Sequence, residues 1–352
     1  MNKIIRIRFS NSRSGNLKSK IQNLKWVGLV ALVVAFALCG AVAQAQQTEK
    51  IFRIGVLDSR TASDSTVRLK AFWQEVRRFG WIEGKNFTIE YRFAERKLER
   101  LPELAAELVR LRVDLIVVTG TNAALAAKRA TTTIPIVLTG SADPVAAGLV
   151  ASLAQPGGNV TGVSGLGVEL NTKRLEVLKD AVPKLARVGL PQGPGSSTAI
   201  SNDLQLKELR AAALYLKLKL EEIDAQPDAK GLESFFKTAK QKQVNAIIVI
   251  GPVYFAERKR IVELAAKYRL PAIYPQKEYV DEGGLMYYGI DSTDLSRRAA
   301  VFVDKILKGA KPADLLVEQA MRIEFIINLK AAKQIGHTIP YELLWRANQV
   351  IK

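Results

Sequence analysis

Short apolar runs rich in β-branched residues alternate along the chain with stretches in which apolar residues recur at helical spacing. One helical stretch places Leu69, Phe72, Val76 and Phe79 on one face. Buried strands that alternate with helices are typical of parallel sheets covered on both faces, so the pattern predicts an α/β fold. The runs predicted as strands are Phe52–Leu57, Leu115–Val118, Ile136–Leu138, Ala246–Ile250, Ala272–Tyr274, Leu285–Tyr288 and Ile323–Ile327.

The number and spacing of these strands predict two domains. The strands are too many for one compact sheet, and the pattern weakens around Gly162–Leu170 and again at Pro191–Ser197. We therefore expect one α/β lobe over residues 50–165 plus about 284–312, and a second over 168–283 plus about 313–352. Several crossings of the chain between two lobes form a hinge, and a hinge allows closure around a ligand.

The first 45 residues are typical of a secretory signal peptide. They contain seven basic and no acidic residues, an apolar run over Trp26–Ala43, and a small-residue site at Ala43-Gln44-Ala45. We expect cleavage after Ala45. The alternative is an uncleaved membrane anchor, because the apolar run approaches the roughly 18–20 residues that span a bilayer.

The composition argues against several kinds of chemistry. The single cysteine, Cys39, lies in the predicted signal, which excludes disulfides and thiol catalysis in the exported chain. The single histidine, His337, has no cysteine or acid at metal-ligand spacing, and no nucleophile elbow or phosphate-binding loop is present. The formal charge is +18, but the basic residues are dispersed, which disfavours nucleic-acid binding. We expect a binding protein with no metal and no cofactor.

Polar residues follow the predicted strands at the edge where ligands of parallel sheets bind. Gly120-Thr121-Asn122 precedes a predicted helix, and such a position can receive an anionic group on free backbone amides. A plain helix N-cap by Thr121 or Asn122 is the alternative. The candidate ligand-binding residues are Ser59, Thr121, Asn122, Ser141, Asp143, Tyr254 and Glu278.

The segment Ser141–Gly162 is the most informative stretch of the chain. Asp143-Pro144 and Pro156-Gly157-Gly158-Asn159 predict two tight turns that enclose a short helix, followed by a strand. Such a segment is either a binding loop held in one shape or a connection without a ligand. Asp143 could hold an ammonium group or serve only as a turn residue. Tyr254, likewise, could stack on a ligand or pack in the core.

Several longer motifs resemble those of a known family. The chain is similar, over about residues 50–350, to the exported substrate-binding proteins of ABC transporters, in the branch that includes tryptophan and tyrosine binders. The matching motifs are Arg53–Leu57, Gly80–Glu95, Arg100–Thr121, Ala124–Val137, the DPV…GLVASLAQPGGNVTG block, Glu278–Gly289, Val303–Gln319 and Ile327–Pro340.

The resemblance implies a type I periplasmic-binding-protein fold, with two Rossmann-like lobes and a ligand cleft between them. It implies an amino acid or similar small carboxylate as ligand, an ABC permease as membrane partner, a periplasmic location and a monomer. Thr121 would hold the carboxylate, Asp143 an ammonium group and Tyr254 the side chain of the ligand. A periplasmic sensor that signals to a membrane receptor is the first alternative, and an exported α/β enzyme is the second.

Two positions depart from the pattern of the family. Relatives usually begin the second lobe with a longer apolar strand, whereas here Arg187–Leu190 runs directly into PQGPGSS. Asn122 stands where relatives often carry proline. The first departure could remove a ligand contact from the second lobe or weaken the first strand of that lobe, and the second could alter the loop that receives an anionic group.

Overall fold

The computed structural model describes residues 50–141, 143–193, 200–251 and 253–352, apart from the side chains of 168 and 200–204. Residues Ile51–Lys352 form one compact unit. The predicted signal peptide lies outside the described residues. Within the described residues, no helix has the length and apolar character needed to cross a membrane.

The first sheet consists of six strands that all run parallel. Their spatial order is β11-β5-β4-β3-β1-β2, so the first strand of the chain lies inside the sheet. The strands are β1 (Phe52–Asp58), β2 (Phe87–Phe93), β3 (Leu115–Thr119), β4 (Ile136–Thr139), β5 (Val160–Ser164) and β11 (Glu318–Gln319).

The second sheet has seven strands in the order β13-β12-β10-β9-β8-β6-β7. Among the described strands of this sheet, only β10 and β12 pair in the antiparallel direction. The strands are β6 (Arg187–Gln192), β7 (Lys219–Asp224), β8 (Ala246–Ile248), β9 (Ala272–Tyr274), β10 (Met286–Ile290), β12 (Ile323–Asn328) and β13 (Gln349–Ile351).

Helices cover both faces of the sheets. In the strand β3, Leu115 and Val117 pack into the core on one face, while Ile116 and Val118 pack into the core on the other. The helices are α1 (Ala62–Arg78), α2 (Leu101–Arg110), α3 (Thr121–Ala130), α4 (Gly167–Ala181), α5 (Ile200–Tyr215), α6 (Ala229–Gln241), α7 (Arg258–Lys267), α8 (Glu278–Asp281), α9 (Ser292–Leu307), α10 (Leu329–Ile335) and α11 (Tyr341–Arg346). Short 3₁₀ turns occupy Leu98–Arg100, Phe255–Glu257 and Pro312–Asp314.

Over the residues that the structure describes, the chain passes between the two sheets three times. It crosses after β5 at residues 165–166, after β10 at Asp291, and between β11 and β12 at residues 320–322. Two of these crossings are bonded together, because the backbone N–H of Asp291 donates to the carbonyl of Arg322 at 3.2 Å. The two-sheet α/β fold predicted from the sequence is confirmed.

Two predicted lobe boundaries need correction. Residues from about 313 were expected in the second lobe, but β11 pairs with β5 in the first sheet, so the chain enters the second lobe only after Gln319. The segment from about residue 284 was expected to return to the first lobe, but β10 pairs with β9 and β12 in the second sheet. The return begins only with α9, which packs against α1 and the strands β4 and β5. The physical reason is that Met286 and Tyr287 are apolar residues buried between two strands of the second sheet.

The start of the second lobe is a complete strand rather than a weakened one. β6 pairs along its whole length with β7, from Arg187 to Gln192. On its other side it pairs with β8 only at Val188 and Gly189, so Pro191 removes no hydrogen bond from that side. Most of the PQGPGSS turn that follows lies outside the described residues.

Candidate functional site

A cavity of about 410 Å³ lies where the strand ends of the two sheets approach the crossings. Its first-lobe wall includes Arg60 and Arg68, and the start of α9 also lines it. Its second-lobe wall includes Arg174, Glu278 and Glu324. The cavity is therefore bounded by charged side chains of both lobes.

Arg60 is neutralised within its own lobe. Oδ1 of Asp58, the last residue of β1, accepts hydrogen bonds from the backbone N–H of Arg60 at 3.0 Å and from its Nε at 3.2 Å. Oδ2 of Asp58 accepts from the hydroxyl of Ser65 at 2.8 Å. All three residues are buried, so their charges and polar groups form a closed cluster. Ser59, which the sequence selected, directs its carbonyl to the N–H of Arg96.

The environment of Arg174 differs from that of Arg60, because the hydrogen-bond acceptors of Arg174 are uncharged. It projects from α4, is only 4 % exposed, and donates from Nε to the carbonyl of Tyr288 at 2.7 Å and from Nη1 to Oδ1 of Asn171 at 2.6 Å. Both acceptors are neutral. Burial lowers the pKa of Arg174 to about 10, since desolvation disfavours the charged form. Among the described residues, no carboxylate lies within 4 Å of this guanidinium.

The second crossing places a helix start against the cavity. Oδ1 of Asp291 caps α9 by accepting from the N–H of Thr293 at 2.9 Å and of Asp294 at 3.2 Å, and from the Thr293 hydroxyl at 2.6 Å. Burial alone would raise the pKa of Asp291, but the hydrogen bonds from Thr293 and Asp294 outweigh it and hold the pKa below its ordinary value. Asp291 therefore remains ionised as a structural cap.

Of the seven residues selected from the sequence, Glu278 lines the cavity. It is the first residue of α8 and lies at the carboxyl end of β9, where the parallel-sheet rule predicts a ligand contact. Its carboxylate adds negative charge to the second-lobe wall, which also carries Glu324.

Thr121 and Ser141 lie together just behind the cavity wall. Their hydroxyls are 3.1 Å apart and both residues are buried. The carbonyl of Ser141 accepts from the N–H of Gly165, and Gly165 lines the cavity. This pair therefore braces the first crossing.

The start of α3 differs from the predicted side-chain cap. The N-cap position is Gly120, with φ +84°, and no side chain caps the helix. The N-cap by Thr121 or Asn122 is therefore wrong, because glycine reaches this backbone conformation without the strain a side chain would add. Asn122 lines a separate surface cavity of about 520 Å³ between α2 and α3.

Asp143 is engaged in its own turn. Its Oδ1 accepts from the N–H of Val145 at 3.0 Å and of Ala146 at 2.9 Å. The short helix predicted after this residue is wrong, since the segment consists of hydrogen-bonded turns that end at Gly148, with φ +68°. A residue with positive φ cannot continue an α-helix.

Tyr254 lies in the core of the second lobe. It is 1 % exposed, and its hydroxyl donates to the carbonyl of Ala225 at 2.8 Å. Burial raises the pKa of Tyr254 well above its ordinary value, with a smaller contribution from Asp224. The next residue, Phe255, lines the cavity instead.

The described part of the chain contains no group of three or more histidine, cysteine, aspartate or glutamate side chains placed to hold a metal ion. His337 lies with Nε2 2.9 Å from the carbonyl oxygen of Ala181. This contact connects the loop after α10 to the end of α4 and gives the histidine a structural partner.

The two-lobed α/β fold and the charged cavity between the strand ends define a ligand-binding protein of the periplasmic-binding type. The family described as ABC transporter substrate binding protein matches residues 67–351. The chain belongs to this family.

The relatives of this chain include an amino-acid-binding protein and solved structures of similar fold. A tyrosine-binding protein of Clostridioides difficile is 27 % identical over 273 residues, which cover 76 % of this chain and 75 % of that protein. A crystal structure from Streptococcus pneumonia, an ABC domain in complex with L-Trp, has a TM-score of 0.77 at 28 % identity. A conserved domain protein from Vibrio cholerae has a TM-score of 0.78 at 28 % identity. Both structures match over 86 % of this chain and 100 % of theirs.

Proposed function

We propose that the protein is an exported receptor that captures an amino acid, or a similar small carboxylate, in the cavity between its lobes and delivers it to an ABC permease. The observation that carries this proposal is the cavity itself, which lies at the crossings and takes charged side chains from both lobes. Its volume of about 410 Å³ is within the usual range for small-molecule sites. The tyrosine-binding and L-Trp-complexed relatives support an amino acid as the ligand class.

The three crossings supply the mechanism of capture. A ligand that contacts both walls of the cavity binds more tightly to the closed arrangement of the lobes than to an open one, and it shifts the population toward the closed state. Residues 165–166, Asp291 and residues 320–322 are the short segments that would absorb the change in backbone angles. The closed form would then be the species that the permease recognises.

The acidic second-lobe wall supports a role in binding the ligand's ammonium group. We assign the binding of the ammonium group to Glu278, because this residue lines the cavity at the carboxyl end of β9. Asp143 was the sequence-based candidate for the ammonium, but its Oδ1 already accepts two backbone hydrogen bonds in its own turn. Phe255 takes the place proposed for Tyr254 beside an apolar or aromatic ligand side chain.

The proposal also includes export, cleavage after Ala45, a periplasmic location and a monomeric state. The basic, apolar and small-residue regions of residues 1–45 support export. Mass spectrometry of the protein recovered from cells would test cleavage, with an N-terminus at Gln46 as the expected result. A precursor mass in the membrane fraction would contradict it.

Thermal unfolding of residues 46–352, which contain the whole compact unit, tests the ligand class. The panel comprises the twenty L-amino acids, small carboxylates, sugars and nucleosides. A ligand at about a hundred times its dissociation constant stabilises the protein by roughly 2.7 kcal/mol. We expect a shift with one or a few amino acids, and a shift with sugars or nucleosides alone would contradict the proposal. Uptake of the labelled amino acid by cells with and without the gene then tests delivery.

A further inference from the structure

We infer that Arg174 is the group that receives the carboxylate of the ligand. This inference rests on the proposed function and deepens it, because it gives the second-lobe wall a defined anion site. Neither Thr121 nor the uncapped start of α3 lines the interlobe cavity, whereas Arg174 does.

Within the described part of the chain, Arg174 has no carboxylate within 4 Å to balance its charge. Arg60 and Arg174 are the two basic side chains that are buried among the described residues. Arg60 is paired with Asp58 within 3.2 Å, whereas the acceptors of Arg174 are a backbone carbonyl and an amide oxygen. A buried charge that lacks a counter-charge is costly, so its retention at the wall of a cavity points to an anion supplied from outside.

The donor geometry of Arg174 also suits a carboxylate. A guanidinium has five N–H groups in a planar fork, of which Arg174 uses one on Nε and one on Nη1. The other three have no acceptor among the described residues. Planar pairs of such N–H groups match the two oxygens of a carboxylate in a bidentate hydrogen bond.

The two existing bonds hold the guanidinium in place before the ligand arrives. Asn171 lies one turn earlier on α4, and its Nδ2 donates to Oε1 of Gln205 at 3.1 Å, so its own orientation is fixed. The carbonyl of Tyr288 belongs to β10 in the adjacent sheet. Because Nε and Nη1 are already held by hydrogen bonds, the guanidinium loses little conformational freedom when a ligand binds, which favours affinity.

The test compares ligands with and without a carboxylate on three proteins. The wild type, Arg174→Met and Arg92→Met are screened by calorimetry against the twenty L-amino acids, and then with tyramine and tryptamine beside L-tyrosine and L-tryptophan. Arg92→Met is the matched control, since Arg92 is a half-buried cation on β2, pairs with Glu107 at 2.6 Å and lies outside the cavity lining. We expect Arg174→Met to weaken amino-acid binding about 10- to 100-fold, as loss of a charged hydrogen-bonded partner does.

The discriminating result is the ratio between each amino acid and its amine. In the wild type and in Arg92→Met the amino acid binds much more tightly than the amine, and in Arg174→Met this preference disappears. An unchanged preference in Arg174→Met overturns the inference and leaves the proposed function standing. Absence of binding by the wild type to all twenty amino acids overturns both.

Arg174→Lys distinguishes the loss of a ligand contact from a folding defect. This variant keeps a cation at the cavity wall but lacks the planar fork. We expect it to retain part of the preference for a carboxylate ligand, with affinity between the wild type and Arg174→Met. Affinity equal to that of Arg174→Met, with normal thermal unfolding, would contradict the role of the charge.

Discussion

The Nε of Arg174 donates a 2.7 Å hydrogen bond to the carbonyl oxygen of Tyr288. This bond joins α4, which follows the first crossing, to β10, which precedes the second. The residue proposed to bind the ligand is therefore fixed to a strand that leads into the hinge. A ligand held by Arg174 would contact the part of the second lobe from which closure proceeds.

We predict that Arg174→Met leaves the stability of the ligand-free protein within about 2 kcal/mol of the wild type. Removal of a buried charge without a counter-ion stabilises the fold, while the carbonyl of Tyr288 and the amide of Asn171 lose a donor, which costs about 1–3 kcal/mol per group. Urea unfolding measures the difference. A loss well above 3 kcal/mol would indicate that Arg174 serves mainly the structure.

The same arginine gives a prediction about alkaline pH. Its pKa in the folded protein is lowered to about 10 by burial, so above pH 10 the folded state releases a proton that the unfolded state still holds. Because the unfolded state then binds more protons, this group increases the free energy of unfolding as pH rises. We expect the stability of the wild type relative to Arg174→Met to increase from pH 9 to pH 11. A constant difference would contradict the lowered pKa.

Glu278→Gln is predicted to weaken binding of zwitterionic ligands about tenfold or more, and to spare ligands that lack an amine, because the change removes the proposed partner of the ammonium group. Calorimetry with each amino acid and its deaminated analogue measures the effect. Glu282→Gln is the matched control, since Glu282 lies just after α8 and pairs with Arg258 at 3.2 Å. Equal losses in the two variants would contradict a specific role for Glu278.

Gly162→Ala is predicted to destabilise the fold by several kcal/mol. Gly162 has φ +125°, and a Cβ there would lie 2.5 Å from both the backbone N and O of Leu138 in the neighbouring strand. Gly158, in the same motif, has nothing within 4 Å of such a Cβ. Thermal unfolding should therefore show a large loss for Gly162→Ala and a change under about 1 kcal/mol for Gly158→Ala. Similar behaviour of the two variants would contradict the described pairing of β4 with β5.

Asp291→Ala is predicted to cost about 1–2 kcal/mol at pH 7, because α9 loses its N-cap. The folded pKa of Asp291 lies below its ordinary value, so its contribution is present above the unfolded pKa and is lost as pH falls through the folded one. The difference between wild type and Asp291→Ala should shrink from pH 5 to pH 3. The asparagine in Asp291→Asn can still cap the helix but does not titrate. The difference in stability between Asp291→Asn and Asp291→Ala should therefore stay constant from pH 5 to pH 3.

The central strands could be predicted from the sequence because both of their faces are buried. Leu115–Thr119 and Ile136–Thr139 are continuous apolar runs, and they lie inside the first sheet. The strands Phe87–Phe93 and Lys219–Asp224 were missed, because they lie at sheet edges where charged residues are tolerated and the apolar run is broken.

The candidate site was predicted at the level of loops rather than residues. Ser59 and Tyr254 were selected, yet their neighbours Arg60 and Phe255 line the cavity. A strand-end rule identifies the loop, but the direction of each side chain depends on packing that a single sequence does not reveal. Arg174 was missed because it belongs to the interior of α4, and only the three-dimensional structure shows that no carboxylate among the described residues lies within 4 Å of it.

The central claim is that an amino acid binds between the lobes, and calorimetry on a blocked cavity tests it most directly. Val67 lines the cavity from the surface of α1 and is 67 % exposed, so Val67→Trp adds bulk without disturbing the core. Leu214→Trp is the control at an exposed position of α5 outside the cavity lining. We predict one amino acid bound per wild-type chain, binding at least about tenfold weaker in Val67→Trp, and no change in Leu214→Trp. Equal affinity in all three proteins, or no binding of any amino acid by the wild type, would contradict the account.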